Sequence, residues 1–193
     1  MNKNVIALPE FFRKIDIHTH QLQPDHEAII NLTPDLKIGK NRYYSVGIHP
    51  WQADEATDDT FRRLAQMAAN PSIVAIGETG LDKYRGPVME IQKEVLMRHI
   101  LLAESTGKPL IIHNVRCDNE ILALHKKMNP SVPWIIHGFR GKPTRGSLFV
   151  KQGIYLSLGN IFNPEIPAKI PSEMLLHETD GMDPDTTPEM NFT

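Results

Sequence analysis

His18-Thr19-His20 sets two imidazoles two positions apart. On a β-strand such side chains share one face, about 6.6 Å apart along the backbone. Two neutral imidazoles so placed can grip one divalent ion. Nine histidines among 193 residues make a chance His-x-His pair easy to obtain, so the pair gains meaning only from its surroundings. Glu78, His113, His137 and Asp180 each fall at or near the end of a separate apolar run. Apolar strands need no charged tips for packing, whereas barrel enzymes collect their active sites at the carboxyl ends of their strands. Four histidines with two carboxylates suit a one- or two-ion site, with Glu78 able to bridge two cations. Mixed nitrogen and oxygen donors admit Zn, Mn, Fe, or Mg beside a carboxylate, so the residue types leave the metal open.

The elements that must position these residues are eight runs rich in β-branched and apolar side chains: 14–20, 28–33, 43–49, 73–78, 110–115, 134–139, 154–159 and 174–180. Near-continuous apolar runs suit parallel strands covered on both faces. Helical spacing appears at 58–70, 87–106, 117–128 and 144–152, and Gly107 with Pro109 ends the longest of these. In that helix Val88, Ile91, Val95, Leu96, Leu102 and Ala103 form the apolar face. Strands alternating with helices predict an α/β fold, a (β/α)8 TIM-like barrel of eight parallel strands. No helix fits between the first three runs or between the last two, where Pro164, Pro167 and Pro171 predict loop, so the outer ring of helices is expected to be incomplete. The whole chain, 1–193, reads as one domain without linker or repeat. A flank without helices predicts uncovered apolar surface beside the first, second and last strands, and hence a homo-oligomer.

Composition excludes some roles. A net charge of -2 gives no basic field for tight, nonspecific binding of duplex DNA. Cys117 is the only cysteine, so an intrachain disulfide is impossible and a reducing cytoplasm is expected. Residues 1–12 are too short and polar for a secretory signal, and no stretch approaches the roughly 20 apolar residues of a membrane span.

Six ordered blocks carry a resemblance. Ile15-Asp16-Ile17-His18-Thr19-His20, Gly47-Ile48-His49-Pro50 and Ile76-Gly77-Glu78-Thr79-Gly80-Leu81-Asp82 come first. Pro109-Leu110-Ile111-Ile112-His113, Ile136-His137-Gly138-Phe139-Arg140-Gly141 and Leu176-His177-Glu178-Thr179-Asp180 follow in order. Together they resemble the TatD family of metal-dependent deoxyribonucleases, TIM barrels within the wider amidohydrolase group. The resemblance implies metal ligation by His18, His20, Glu78, His113, His137 and Asp180, all present here. It also implies a shortened member, because helices usual after the first strands and at the close of the barrel are lacking. Where the family commonly has an Arg two residues after the fourth-block His, this chain has Val115, with Arg116 one further on.

The expected chemistry is cleavage of a phosphodiester, DNA above all, by water activated at one or two divalent ions, with Asp180 accepting the water's proton and Glu78 holding the centre. His49, at the end of the third run, and Arg85 and Arg140, just beyond the Glu78 and His137 runs, are expected to meet the anionic substrate. Trp51 reads as loop packing, Glu178 as part of a buried polar network, and Asp16 and Asp82 as supports or local turn residues. His26, His99, His125 and His177 read as surface or packing residues. Two rival expectations are hydrolysis of a small ester, amide or lactone, and a non-catalytic metal-binding barrel.

Overall fold

A computed structural model describes residues 5–181. Eight parallel strands lie in sequence order: β1 (Asp16–Thr19), β2 (Ala28–Leu32), β3 (Tyr43–Val46), β4 (Ile73–Asp82), β5 (Leu110–Val115), β6 (Trp134–Ile136), β7 (Tyr155–Leu158) and β8 (Leu175–His177). Backbone bonds from Asp180 N–H to His18 O at 3.1 Å and from His20 N–H to Gly181 O at 2.6 Å bring the two ends of the sheet together. Asp16 strengthens this seam, because its Oδ1 accepts from the Thr179 N–H at 3.1 Å and its Oδ2 from the Thr179 hydroxyl. The result is a nearly closed TIM-type barrel.

Four helices cover it: α1 (Asp58–Ala68), α2 (Met89–Thr106), α3 (Asp118–Met128) and α4 (Pro143–Lys151). Thr57 and Thr60 form a reciprocal cap at the start of α1. Gly107, at φ 65°, ends α2 in the left-handed region that costs glycine nothing. Between β7 and β8, where three prolines predict only loop, lie one turn of helix, α5 (Ile166–Lys169), and a 3-10 turn. Pro167 sits in the first turn of α5, where a missing N–H leaves no bond unmade. Among the described residues no helix joins β1 to β2 or β2 to β3. The expected lack of closing helices concerns 182–193, outside the described residues.

Two expectations need correction. Strand β4 does not stop at Glu78 but runs to Asp82. Its pairing with β5 shifts register between Ile76 and Thr79 and then resumes, with Gly80 opposite His113. Gly77 and Gly80 make this possible: both have positive φ, and a Cβ on either would overlap backbone of β5. The flank expected to be bare is also covered. A 3-10 turn, Glu10–Arg13, packs on β1 and β8, and Phe12, Ile17, Ile29, Ile30 and Leu32 are all buried.

The buried face of α2 departs from its apolar pattern. Val88 is exposed at its N-cap, whereas Gln92 and His99 lie in the core. His99 accepts from the Ile48 N–H at 3.0 Å through Nε2, and its Nδ1 stands 2.8 Å from Val95 O. Nδ1 therefore carries the proton, and the buried ring is neutral. Burial pushes His99 down to about 4, from 6.5. The unfolded chain thus binds a proton that the folded chain refuses, so this contribution is full above pH 6.5 and is lost as pH falls from 6.5 toward 4. About 3 kcal/mol is expected to disappear across that window. Urea unfolding at about pH 7.5 and about pH 4 checks this: His99→Gln should lose correspondingly less than the parent chain, and equal losses would contradict the assignment.

Candidate metal centre

The predicted ligand positions come from five elements and meet at the carboxyl-end mouth of the barrel. His18 lies on β1 and His20 just after it, Glu78 on β4, His113 on β5, His137 one residue beyond β6, and Asp180 three beyond β8. Glu78 is the hub and is only 2% exposed. Its Oε1 stands 2.8 Å from His137 Nε2, 2.9 Å from His113 Nδ1 and 3.2 Å from His49 Nε2. Its Oε2 stands 3.3 Å from His20 Nε2 and 3.4 Å from His18 Nε2. Asp180 Oδ1 is 3.9 Å from Nε2 of both His18 and His20. Asp180 has φ 49°, a left-handed conformation that a short carboxylate side chain tolerates better than most.

These atoms form overlapping groups spaced for ion binding, including His18–His20–Asp180 on one side of Glu78 and His49–Glu78–His113 on the other. His49, expected at the substrate, therefore stands within the ligand cluster. The donor set fits a divalent cation on its own chemistry. The Nε2 atoms of His18 and His20 face each other at 3.2 Å, and the buried Glu78 Oε2 between them has no hydrogen-bond partner. Two imidazole nitrogens converging on a buried carboxylate oxygen without a hydrogen-bond partner suit a positive charge at their centre.

Two further carboxylates orient the histidines. Asp82 Oδ2 stands 3.3 Å from His113 Nε2, leaving Nδ1 toward Glu78. Glu178 Oε1 stands 3.4 Å from His137 Nδ1, leaving Nε2 toward Glu78, and also accepts from the Gly138 N–H at 2.7 Å. Each of these two imidazoles is thus clamped from behind by a carboxylate, as ligand histidines commonly are. Asp82 is held in turn by the Trp51 indole N–H at 2.7 Å. The buried Gln92 amide straps its loop, accepting from Asp82 N–H and donating to the carbonyls of Asp82, Arg85 and Pro87. Trp51, read as loop packing, thereby acts on the cluster through Asp82. Gln92 is polar within an apolar helix face, and its spacing gives no sign of this task.

Burial pushes the Glu78 carboxyl up, but the charge on His137 and hydrogen bonds from His113 and His137 outweigh it and hold Glu78 well below the usual carboxylate range. The converse holds for His137, where burial is outweighed by Glu78 and Glu178 and the imidazole is raised well above its usual value. His113 is likewise raised by Asp82 and Glu78 against burial, whereas burial dominates at His49 and lowers it.

The cluster opens into a cavity of about 930 Å³ whose walls include Asn31, Thr33, Trp51, Arg116, Arg140 and Arg145. Arg145 is spoken for by Asp118, whose carboxylate oxygens stand 2.6 Å from its Nε and Nη2. Arg140 lines the cavity; Arg85 instead stacks over Trp51, 4.8 Å from the ring centroid. The family spacing gives Arg116 no role, but φ 57° at this residue turns the chain and brings it to the wall. Elsewhere His26 meets Asp16 at 2.9 Å, and His125 packs edge-on against Trp134.

Fold and site together define a TIM-type barrel with a histidine–carboxylate cluster at its mouth. The chain belongs to the TatD family: the family described as "TatD related DNase" matches residues 15–191. It is 34% identical over 170 residues to a protein of Mycobacterium tuberculosis named uncharacterized metal-dependent hydrolase TatD, covering 81% of this chain and 64% of that one. It is 30% identical over 157 residues to a protein of Schizosaccharomyces pombe named deoxyribonuclease Tat-D, covering 71% of this chain and 50% of that one. The chain thus spans only part of the length of these relatives. The crystal structure of YJJV, a TatD homologue of Escherichia coli, superposes with a TM-score of 0.75 at 24% identity, over 86% of this chain and 78% of that one, and supports the fold.

Proposed function

We propose that this chain, as a single domain over 1–193, is a metal-dependent phosphodiesterase that acts on DNA. The observation that carries the reading is the gathering of five imidazoles and Asp180 around the buried Glu78 at the floor of a cavity bordered by Arg116 and Arg140. The relative named deoxyribonuclease supports DNA as the substrate class.

His18, His20, Glu78, His113, His137 and Asp180 would hold one or two divalent ions, Mg, Mn or Zn, and His49 is placed to join them. Such ions supply positive charge that acidifies water and stabilises a developing oxyanion. Glu78, kept ionised by its imidazoles, provides the negative charge common to both sides of the cluster. Asp180, the most exposed carboxylate of the cluster at 29%, faces the cavity and is placed to accept a proton from attacking water. Arg116 and Arg140 provide positive charge for the phosphate backbone, and the near-neutral net charge of the chain favours a strand that enters the cavity over a duplex lying across the surface. Among the described residues no helix is long and apolar enough to cross a membrane. The buried, free Cys117 accords with a reducing cytoplasm.

A substrate panel tests this reading against small-molecule hydrolysis. Protein stripped with chelator and reloaded with Mg, Mn or Zn is expected to cleave bis(4-nitrophenyl) phosphate and a thymidine dinucleotide, and to leave 4-nitrophenyl acetate and simple lactones at the background rate. Turnover of the ester or lactone alone would sink the phosphodiesterase reading and favour the small-molecule rival.

A further inference from the structure

The side-chain amide of Asn31, on β2, has only one orientation that its neighbours permit. The Glu78 backbone N–H donates to its Oδ1 at 2.7 Å, and the Ser45 hydroxyl donates to the same oxygen at 3.2 Å. A backbone N–H cannot accept, so the atom it meets must be the oxygen. The amide nitrogen is therefore the other end of the group, with two N–H donors. Among the described residues no acceptor is bonded to it. Asn31 is partly exposed, and it lines the cavity beside Glu78, His49 and His113.

We propose that Asn31 is a substrate-binding residue whose Nδ2 donates to a non-bridging oxygen of the bound phosphodiester. This rests on the phosphodiesterase reading above. The oxygen end of Asn31 is used in holding β3 and β4, while the donor end has no acceptor among the described residues and the residue lines the cavity next to the cluster. A phosphate oxygen is the acceptor that the protein itself does not provide, and a neutral donor recognises it without competing for the cation. The same contact ties recognition to Glu78, because the Oδ1 bond fixes the backbone from which the hub carboxylate projects.

Asn31→Asp separates the two ends of the side chain. It keeps an acceptor for the Glu78 N–H and the Ser45 hydroxyl, and replaces the donors by a charged oxygen. If Asn31 only holds β4, this variant should behave like the parent. The experiment is calorimetric titration of a phosphorothioate dinucleotide onto Mn-loaded protein, with Mn affinity measured separately for each variant. Asn31→Asp is expected to weaken dinucleotide binding by about tenfold to a hundredfold, the range for loss of a hydrogen bond to a charged group, with Mn binding no weaker than in the parent. Should that variant fail to fold, Asn31→Ala is expected to weaken binding by about tenfold. Parent-like dinucleotide binding in the folded variant overturns the role of Asn31 alone. A parent protein that binds Mn but neither binds the dinucleotide nor cleaves phosphodiesters overturns the phosphodiesterase reading and this inference with it.

Discussion

Glu78→Gln is expected to reduce phosphodiester hydrolysis by roughly a thousandfold or more, the largest effect of any single substitution in this chain. Glutamine has nearly the same shape, so the packing beneath the cavity survives, but the negative charge shared by both sides of the cluster is gone. Five imidazole nitrogens lie within 3.4 Å of the two carboxylate oxygens. Without the charge, cations must bind against the imidazoles and Asp180, and a cation beside His49 and His113 would meet imidazoles alone. A catalytic metal centre contributes several kcal/mol to transition-state stabilisation, and about 1.4 kcal/mol corresponds to tenfold in rate. Steady-state kinetics with a dinucleotide, alongside calorimetric titration with Mn, check the result. Retained folding with lost metal affinity and lost rate fits the account, whereas near-parental rate contradicts the placing of Glu78 at the hub.

Asp180→Asn is expected to lower kcat by about 10² to 10⁴, the usual contribution of a positioned proton acceptor, while leaving KM within a few-fold. Asparagine also tolerates the left-handed backbone at φ 49°, so the turn that carries this residue is preserved. The backbone N–H bond to His18 O, which helps to close the barrel, survives as well. One oxygen remains for a cation, but the side chain no longer takes up a proton. Unchanged kcat with raised KM would move Asp180 from proton acceptor to substrate contact.

The fold is legible because its strands are buried on both faces. Such strands write near-continuous apolar runs, and every strand falls within the run marked for it except β4, which outruns its own. Helices α1 to α4 are legible from their spacing and from stops such as Gly107. What escapes is local or long-range. The extension of β4 depends on glycines that only the approach of β5 explains. The cover over β1 and β8 comes from Phe12 on a 3-10 turn too short to carry a periodic pattern. Gln92 and His99 look misplaced on the inner face of α2 until their backbone partners are seen.

The six ligand positions carried by motif do gather around one carboxylate, because each lies at or just beyond the carboxyl end of a strand or on β4 beside its bend. The place of His49 at a run's end points to substrate, and its position 3.2 Å from Glu78 cannot be read from spacing alone. Asn31 gives no signal at all. A single asparagine in an apolar strand acquires meaning only from the N–H of a residue 47 positions away.

The most direct test of the central claim is cleavage of end-labelled single-stranded DNA by the purified chain with Mg, Mn or Zn, beside chelator and Asp180→Asn controls. The account predicts cleavage that requires metal, stops with chelator and falls about a hundredfold or more in the variant. Cleavage that persists in chelator, or that Asp180→Asn leaves untouched, would contradict it, as would metal-loaded protein that leaves the DNA intact.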